Sequence, residues 1–457
     1  MSKFAMQLTA LCVSLYSSYI LATAVTMSEV LIFFLTFLSL WLFYLYLDTD
    51  KPVCGILTAI SVGYLYCVHN RNIGIVIALF IIIIVRAIYE KRSKDIWVML
   101  LPLVGMVLLK SGVDYWLTLN ENTMGTYTRN TYGNMLNKAS GGIGLYGILS
   151  LVENVIGEVW YMLIGTFLVG GIGVFEILSN RLVNEKKAVY KHTFFYAYSI
   201  LSWLFMVAIS VFSCMRKQAG VVKRMDIVFY GRYMENTIVF FVLMGVVYLW
   251  GNRKNTDKKK EIGLMFIIAV AVSVITHFIV ASLNAYDVNW LSVVAVMTTA
   301  FYPNLQVSII SSSIIGVVLA AVIIYLFNMG KELYKYISIV LLAGIFLFIG
   351  YHATYAVSKA YEEGASLSNN PTFNMEFNDM CNYVRENEYE TIYVLSPEPY
   401  DAFAYQLVMN KKTIVSITEW KEMEMVSTGI PILIKKYSGM DTTEFDFMYE
   451  NDVFGIY

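Results

Sequence analysis

The stretch RKQAGVVKRMDIVFYGRYMEN, at positions 216–236, carries five basic residues between two apolar runs that are long enough to cross a membrane. Arginine can hold a phosphate group through two parallel hydrogen bonds, and lysine offers it a point charge. We therefore predict that Arg232, together with Arg224 and Lys223, binds the phosphate of a lipid carrier. Contact with ordinary anionic lipid headgroups is the alternative interpretation.

The residues around Arg232 favour a close approach of a ligand. Gly231 has no side chain to block the backbone, and Tyr233 is a residue type that suits the membrane interface. Glu235 follows at the start of the next apolar run. We predict that Tyr233 and Glu235 contact the substrate.

Two further charged residues stand where apolar runs meet. Glu29, in TMSEV, begins a run and is either a functional carboxylate or a solvated helix-start residue. Arg71, in HNRN, either extends its side chain to the interface or contacts an anionic headgroup. We assign Arg71 to the predicted phosphate site and treat Glu29 as the candidate catalytic residue.

These residues belong to a chain with the composition of a membrane protein. It has 457 residues, of which 58% are hydrophobic and 15% are charged, and its mean hydropathy is +0.61. Soluble domains average about 25% charged residues. Residues 1–352 form a series of apolar runs, and residues 353–457 resemble a water-soluble sequence, so we predict a membrane domain and a small appended domain.

Eleven runs have the length and composition of transmembrane helices. They cover approximately residues 5–23, 28–47, 53–69, 73–88, 96–113, 157–179, 193–213, 237–251, 262–282, 305–328 and 335–352. The first run, within MSKFAMQLTALCVSLYSSYILATA, is interpreted as a span, with a cleaved signal peptide as the alternative. With a cytoplasmic N-terminus, the cytoplasmic segments carry 17 Lys and Arg residues against 9 in the outer segments. Residues 216–236 and the C-terminal domain then lie outside the cytoplasm.

One segment determines this orientation. Residues 141–160 (GGIGLYGILSLVENVIGEVW) would reverse everything that follows if they crossed the membrane. Glu153 and Glu158 disfavour that, because a buried carboxylate is costly, so we predict an amphipathic helix at the outer interface. The long outer loop 114–156 is rich in Asn, Tyr and Gly, which suits either sugar binding or contact with the interface.

The C-terminal segment alternates strand and helix patterns. ETIYVLS (390–396), KTIVSIT (412–418) and PILIKKY (431–437) predict strands, and residues 377–389 and 398–410 predict helices. This indicates a small α/β domain with a parallel sheet, and it lacks phosphate-binding glycine motifs. The five scattered cysteines form no CxxC pair, so we predict no metal site, and the net charge of −1 gives no reason to expect a nucleic-acid partner.

The chain resembles the membrane-embedded GT-C glycosyltransferases, the group of dolichyl-phosphate-mannose protein mannosyltransferases and bacterial aminoarabinose transferases. The resemblance lies in TMSEVLIFFLTFLSLWLFYLYL, in AISVGYLYCVHNRNIGIVIALFIIII and in FYGRYMEN before a helix. The family has a Ser-Glu-Pro-like turn, a Thr-Arg-Pro- or Lys-Pro-like turn and an Arg-Tyr motif. Val30, Asn72 and Asn236 stand where the family carries proline.

The resemblance implies transfer of a sugar from a polyprenyl-phosphate donor to a cell-envelope acceptor at the outer face of a cell membrane. It implies that Glu29 is the best available base, since the family's acidic first outer loop and its hairpin have no counterpart here. On this resemblance the protein is an active transferase, or it is a truncated or inactive one. A divalent metal is compatible with the family, although no motif indicates one. The alternatives are an envelope-polysaccharide polymerase or ligase, and a non-catalytic protein that binds or transports a lipid-linked sugar. The richness in Ile, Asn, Lys and Tyr suits a bacterial protein.

Overall fold

The computed structural model describes most of the membrane domain and parts of the C-terminal segment. The described residues are 1–24, 28–120, 144–182, 190–216, 226–251, 256–283, 294–296, 305–329, 331–368, 371–387, 391–395, 413–417, 432–435, 448–450 and 454–456. The described parts of residues 1–110 and 138–357 form one compact unit, and those of 111–137 and 358–457 form another.

Fourteen α-helices are described. They are α1 (Lys3–Ser14), α2 (Ser17–Ala24), α3 (Glu29–Thr49), α4 (Pro52–Val68), α5 (Ile73–Tyr89), α6 (Leu101–Asn120), α7 (Leu145–Gly165), α8 (Val169–Glu176), α9 (Tyr190–Ser213), α10 (Glu235–Trp250), α11 (Thr256–Ser282), α12 (Leu305–Asn328), α13 (Glu332–Ser368) and α14 (Pro371–Glu386). Short 3₁₀ turns cover Asn70–Asn72, Asp226–Val228 and Gly231–Tyr233, and π turns cover Ile96–Leu100 and Ile177–Leu182.

The protein is a polytopic helical membrane protein. Within the described ranges, eight helices are long and apolar enough to cross a membrane, and a bent pair, α1 with α2, makes a ninth. The helices α4 and α10 are apolar but shorter. The count of eleven spans stays a prediction.

The predicted continuous span over 157–179 is wrong. The chain is helical from Leu145 to Gly165 and breaks before α8, where Phe167 and Leu168 have positive φ angles of 52° and 60°. A positive φ is costly for bulky residues and ends the helix. The predicted interfacial helix over 141–160 belongs, from Leu145 onward, to α7, which is long and apolar enough to cross a membrane.

Glu158 of α7 is buried. Its side chain is 2% exposed, and one carboxylate oxygen accepts a hydrogen bond from Ser210 of α9. A helix of span length, α7, therefore carries a buried acid near its centre.

The broken helix returns against α10 through glycine contacts. A Cβ atom at Gly173 would lie 1.9 Å from the Phe241 carbonyl oxygen, and one at Gly245 would lie 2.0 Å from the Val169 carbonyl oxygen. Real Cβ atoms do not approach so closely, so the two backbones meet where side chains are absent.

Basic residues gather where α3 and α5 end and α6 begins. Arg92 and Lys94 both donate hydrogen bonds to Asp50, and Arg86 pairs with the buried Asp95 at 3.2 Å. Partial burial raises the pKa of the Asp50 carboxyl, but the hydrogen bonds from Lys94 and Arg92 outweigh it and leave the pKa below its ordinary value. Because α3 begins at Glu29 and ends beside Asp50, this cluster and Glu29 mark opposite ends of the helix.

The C-terminal unit contains a five-stranded sheet. Its strands are β1 (Thr391–Leu395), β2 (Thr413–Ile417), β3 (Ile432–Lys435), β4 (Tyr449–Glu450) and β5 (Phe454–Ile456), in the order β2-β1-β3-β5-β4. The first three strands pair in parallel, with Thr391 opposite Thr413, as their positions in the sequence predicted. The antiparallel β4 and β5 were not predicted. The predicted helix over 398–410 lies outside the described residues.

Candidate functional site

Three residues that are far apart in the sequence meet at one end of the membrane helices. The Glu29 oxygen Oε1 accepts a hydrogen bond from an Arg71 terminal nitrogen at 3.0 Å. The same oxygen lies 2.7 Å from Arg232 Nε and 2.5 Å from an Arg232 terminal nitrogen. We call Glu29, Arg71 and Arg232 the arginine cluster. The structure thus brings together Arg71 and Arg232, which are predicted to bind phosphate, and Glu29, the candidate catalytic residue.

Local structure places each member of the cluster at a helix start. Glu29 is the first residue of α3. Arg71 lies in the 3₁₀ turn that joins α4 to α5, where its backbone N–H donates to Nδ1 of His69 at 3.2 Å. Arg232 lies in the 3₁₀ turn before α10. The sequence thus brings three interhelical turns together at one end of the helices.

Burial differs between the two arginines. The side chains of Arg71 and Glu29 are 5% and 7% exposed, whereas that of Arg232 is 21% exposed. Tyr233 covers the buried arginine, since the Arg71 guanidinium lies 5.2 Å from the centre of its ring. Tyr233 is therefore part of the cluster's wall, and Arg232 is the arginine that an incoming ligand reaches first.

The cluster carries one more positive charge than negative. Both guanidinium groups donate hydrogen bonds to Oε1 of Glu29, whereas its other oxygen, Oε2, lies 3.5 Å from the Ser28 hydroxyl. Guanidinium groups offer five N–H donors each, so donors remain for a further anion. The arrangement can bind a phosphate and leaves one oxygen of Glu29 weakly engaged.

A second carboxylate lies behind the cluster. Glu235 is 3% exposed, and its Oε1 accepts a hydrogen bond from the Tyr161 hydroxyl, which in turn accepts one from the Ala295 backbone N–H at 3.1 Å. The Tyr161 ring packs on Gly231, where an added Cβ would lie 2.0 Å from it. Gly231 is therefore required for packing against Tyr161, a contact that the sequence did not reveal.

The turn before α10 is fixed from its other side by aromatic packing. The ring of Phe229 lies 5.0 Å from that of Trp160, and the Trp160 indole N–H donates to the Ser313 hydroxyl at 3.0 Å. The sequence did not single out Trp160, which lies in the segment predicted at the outer interface (141–160), or Tyr161, which lies in the predicted span 157–179.

The remaining predicted phosphate-binding residues have a different status. Lys223 and Arg224 lie outside the described residues. Arg216, from the same stretch, pairs with Glu153 and donates from its backbone N–H to the Ser150 hydroxyl at 3.0 Å, so it attaches the end of α9 to α7. It contributes to helix packing rather than to the cluster.

Two asparagines lie beside the cluster, at the positions where the family that the sequence resembles carries proline. Asn72 donates from Nδ2 to the Leu65 carbonyl at 2.9 Å, and Asn236 donates from Nδ2 to the Thr36 hydroxyl at 3.3 Å. Each therefore ties its turn to a neighbouring helix by a hydrogen bond, which proline cannot do. The side-chain oxygens of both are buried and make no hydrogen bond with the described residues.

No group of three or more His, Cys, Asp and Glu side chains is arranged to hold a metal ion in the part of the chain that the structure describes. No family model, curated protein or solved structure matches the chain.

Proposed function

We propose that the protein is a glycosyltransferase-like membrane protein that moves a sugar from a polyprenyl-phosphate donor to a cell-envelope acceptor. The observation that carries the proposal is the arginine cluster, in which Arg71 and Arg232 share one oxygen of Glu29. The cluster joins Glu29, Arg71 and Arg232 through contacts that the sequence does not display. These are the same three residues that the resemblance to the GT-C family selected.

The donor phosphate binds first in this account. Arg232, the more exposed arginine of the cluster, binds the phosphate, and the buried Arg71 contributes a second guanidinium group. Charge-assisted hydrogen bonds of this kind are about twice as strong as neutral ones. The phosphate competes with Glu29 for both arginines and so releases the carboxylate from its ion pairs. The divalent metal that the family tolerates has no assigned role here.

The released carboxylate then acts as the general base. Glu29 takes the proton of an acceptor hydroxyl, whose oxygen attacks C1 of the sugar. The bond between C1 and the phosphate oxygen breaks, and polyprenyl phosphate leaves with both bonding electrons, stabilised by the two arginines. The proton passes to Glu29 and the bonding electrons pass to the phosphate, so the step needs no further reactant.

The orientation belongs to the same proposal. The cluster lies at the start of α3, whereas Arg86, Arg92 and Lys94 lie at the other end of the α3–α5 helices. Basic residues favour the cytoplasmic side, which supports an outward-facing cluster in a cell membrane. Eleven spans and an extracytoplasmic α/β domain complete the proposed arrangement.

Binding of the bare carrier tests the proposal. The full chain in lipid nanodiscs is titrated with undecaprenyl phosphate and, separately, with undecaprenol, which lacks the phosphate. We expect selective binding of the phosphate form, weakened at least tenfold by Arg232→Gln and by Arg71→Gln. The control Arg92→Gln removes an arginine from the opposite end of α3 and leaves binding unchanged. Equal binding of both lipids, or no effect of the two cluster variants, contradicts the proposal.

A second candidate is non-catalytic binding or transport of a lipid-linked sugar. The buried carboxylates Glu158 and Glu235 and the break between α7 and α8 favour it, because such features accompany transport pathways. Liposomes that contain the protein and a labelled undecaprenyl-phosphate sugar distinguish the two. Movement of the intact lipid between leaflets without release of undecaprenyl phosphate favours transport, whereas acceptor-dependent release favours transfer.

A further inference from the structure

Four consecutive residues with hydroxyl groups lie at the bend between α1 and α2. They are Tyr16, Ser17, Ser18 and Tyr19, and the bend between the two helices is 57°. The four hydroxyl oxygens are buried. That of Ser18 interacts with Tyr16 and Glu235, whereas those of Ser17 and Tyr19 make no hydrogen bond with any residue that the structure describes. Buried polar groups in native proteins nearly always have a partner, so a ligand or water is expected here. We call these four residues the hydroxyl row.

The hydroxyl row lies close to the arginine cluster. The ring of Tyr19 packs on that of Phe33 with 4.0 Å between their centres. Phe33 follows Glu29 by four residues in α3, and residues with this spacing lie on one face of a helix, a turn apart. The Ser18 hydroxyl neighbours the Glu235 carboxylate. The row is therefore one helical turn deeper than the cluster, on the same side of α3.

Packing holds the hydroxyl row in place from the side of α13. The ring of Tyr16 lies 5.1 Å from that of Phe346. Gly350 lets α13 approach the row, since a Cβ atom there would lie 2.8 Å from Ile20 and 3.0 Å from the Ser17 carbonyl oxygen. The hydroxyls of Ser17 and Tyr19 thus belong to a bend that contacts with α13 hold in place, and not to a frayed helix end.

The chemistry of the hydroxyl row matches a sugar. Hydroxyl groups both donate and accept hydrogen bonds, and the Glu235 carboxylate adds an acceptor. The rings of Tyr16, Tyr19 and Phe33 supply apolar surface beside these polar atoms. A pyranose ring presents the same combination of hydroxyl groups and apolar C–H faces.

We propose that the hydroxyl row, with Glu235, binds the sugar of the lipid-linked donor whose phosphate lies on the arginine cluster. This inference rests on the proposed function, because it assumes that the phosphate is held by Arg71 and Arg232. It adds a position for the sugar, deeper in the helix bundle than the phosphate, and names the residues that recognise it.

The experiment compares carriers with and without a sugar. The full chain in nanodiscs is titrated with undecaprenyl phosphate and with its glucosyl, mannosyl and aminoarabinosyl forms. We expect at least one sugar-bearing form to bind at least tenfold more tightly than the bare carrier. Tyr19→Phe combined with Ser17→Ala should remove that preference and leave affinity for the bare carrier unchanged. The matched control is Ser14→Ala, whose exposed hydroxyl donates to the Leu11 carbonyl.

Thermal unfolding separates recognition from folding. Tyr19→Phe and Ser17→Ala remove buried hydroxyls that lack partners among the described residues, so the melting temperature of the double variant should stay the same or rise. If no sugar-bearing form is preferred, or if the preference survives in the double variant, the inference is wrong. Loss of bare-carrier selectivity, or its insensitivity to Arg232→Gln, would instead contradict the proposed function.

Discussion

Replacing Glu29 by glutamine should destabilise the free protein and tighten its binding of a lipid phosphate. Glutamine keeps the size of the side chain and removes the charge that both arginines share. Because the side chains of Arg71 and Glu29 are 5% and 7% exposed, water compensates the loss poorly. Arg232, at 21% exposure, regains part of its hydration. Replacing this one side chain therefore removes the ion-pair partner of two guanidinium groups.

The expected magnitude follows from this burial. Removing one partner of a buried ion pair costs about 3–5 kcal/mol, and the partial exposure of Arg232 places the cost near the lower end, about 3 kcal/mol. In the unchanged protein, a phosphate must displace Glu29 from the same donors. Without that competition, the affinity for undecaprenyl phosphate should rise by about a hundredfold, because each 1.4 kcal/mol is a factor of ten.

Thermal unfolding with and without undecaprenyl phosphate measures both effects. The Glu29→Gln variant should melt below the unchanged protein when no lipid is added, and undecaprenyl phosphate should restore it. Sugar transfer should be lost, because the proposed base is absent. Glu153→Gln is the control: its partner is Arg216 and its side chain is 32% exposed, so the effect should be at most about 1 kcal/mol. Unchanged stability together with unchanged or weaker phosphate binding would refute this account.

Three further predictions concern packing and charge. Gly231→Ala places a Cβ atom 2.0 Å from the Tyr161 ring, so it should lower phosphate affinity at least tenfold in the same titration. Gly245→Ala brings a Cβ atom 2.0 Å from the Val169 carbonyl oxygen and should lower the melting temperature, with the exposed Gly251 as a control position. The pKa of Asp50 is lowered in the folded protein, so its ion pairs stabilise the protein fully above pH 3.8 and lose this effect as the pH falls through the depressed pKa. Asp50→Asn should therefore reduce the change of the melting temperature with pH below 5.

Hydropathy and turn position were sufficient to predict most membrane helices. The predicted run at 28–47 is α3 (Glu29–Thr49), and the run at 73–88 is α5 (Ile73–Tyr89). Long apolar runs must form helices in a membrane, since every backbone polar group needs a partner inside the segment. Arg71 and Arg232 could be selected because they lie at run ends assigned to the outer side, where basic residues are fewer, and Glu29 because it is an ionisable residue at such a run end.

The break after Gly165 could not be predicted, because it depends on packing between distant segments. The sequence from 157 to 179 is mainly apolar, with Glu158 and Glu176 as its two charged residues, and hydropathy does not register the left-handed turn at Phe167 and Leu168. The contact of Gly173 with the backbone of Phe241 explains the glycines of this segment only once both helices are in place.

The burial of Glu158 escaped prediction for a related reason. Its carboxylate accepts a hydrogen bond from Ser210, a residue in a helix far along the chain. The cost of burial depends on such partners, and a sequence read one segment at a time does not display them. The same limit hid Tyr161, whose role depends on its bond to Glu235.

The most direct test of the central claim is to locate the phosphate itself. An electron cryo-microscopy map of the full chain in nanodiscs, bound to a rigid antibody fragment and saturated with undecaprenyl phosphate, would show it. The account predicts density for the phosphate within hydrogen-bond distance of Arg232 and Arg71, with Glu29 withdrawn from at least one of them. Phosphate density elsewhere on the protein, with the three ion-paired side chains unchanged, would contradict it.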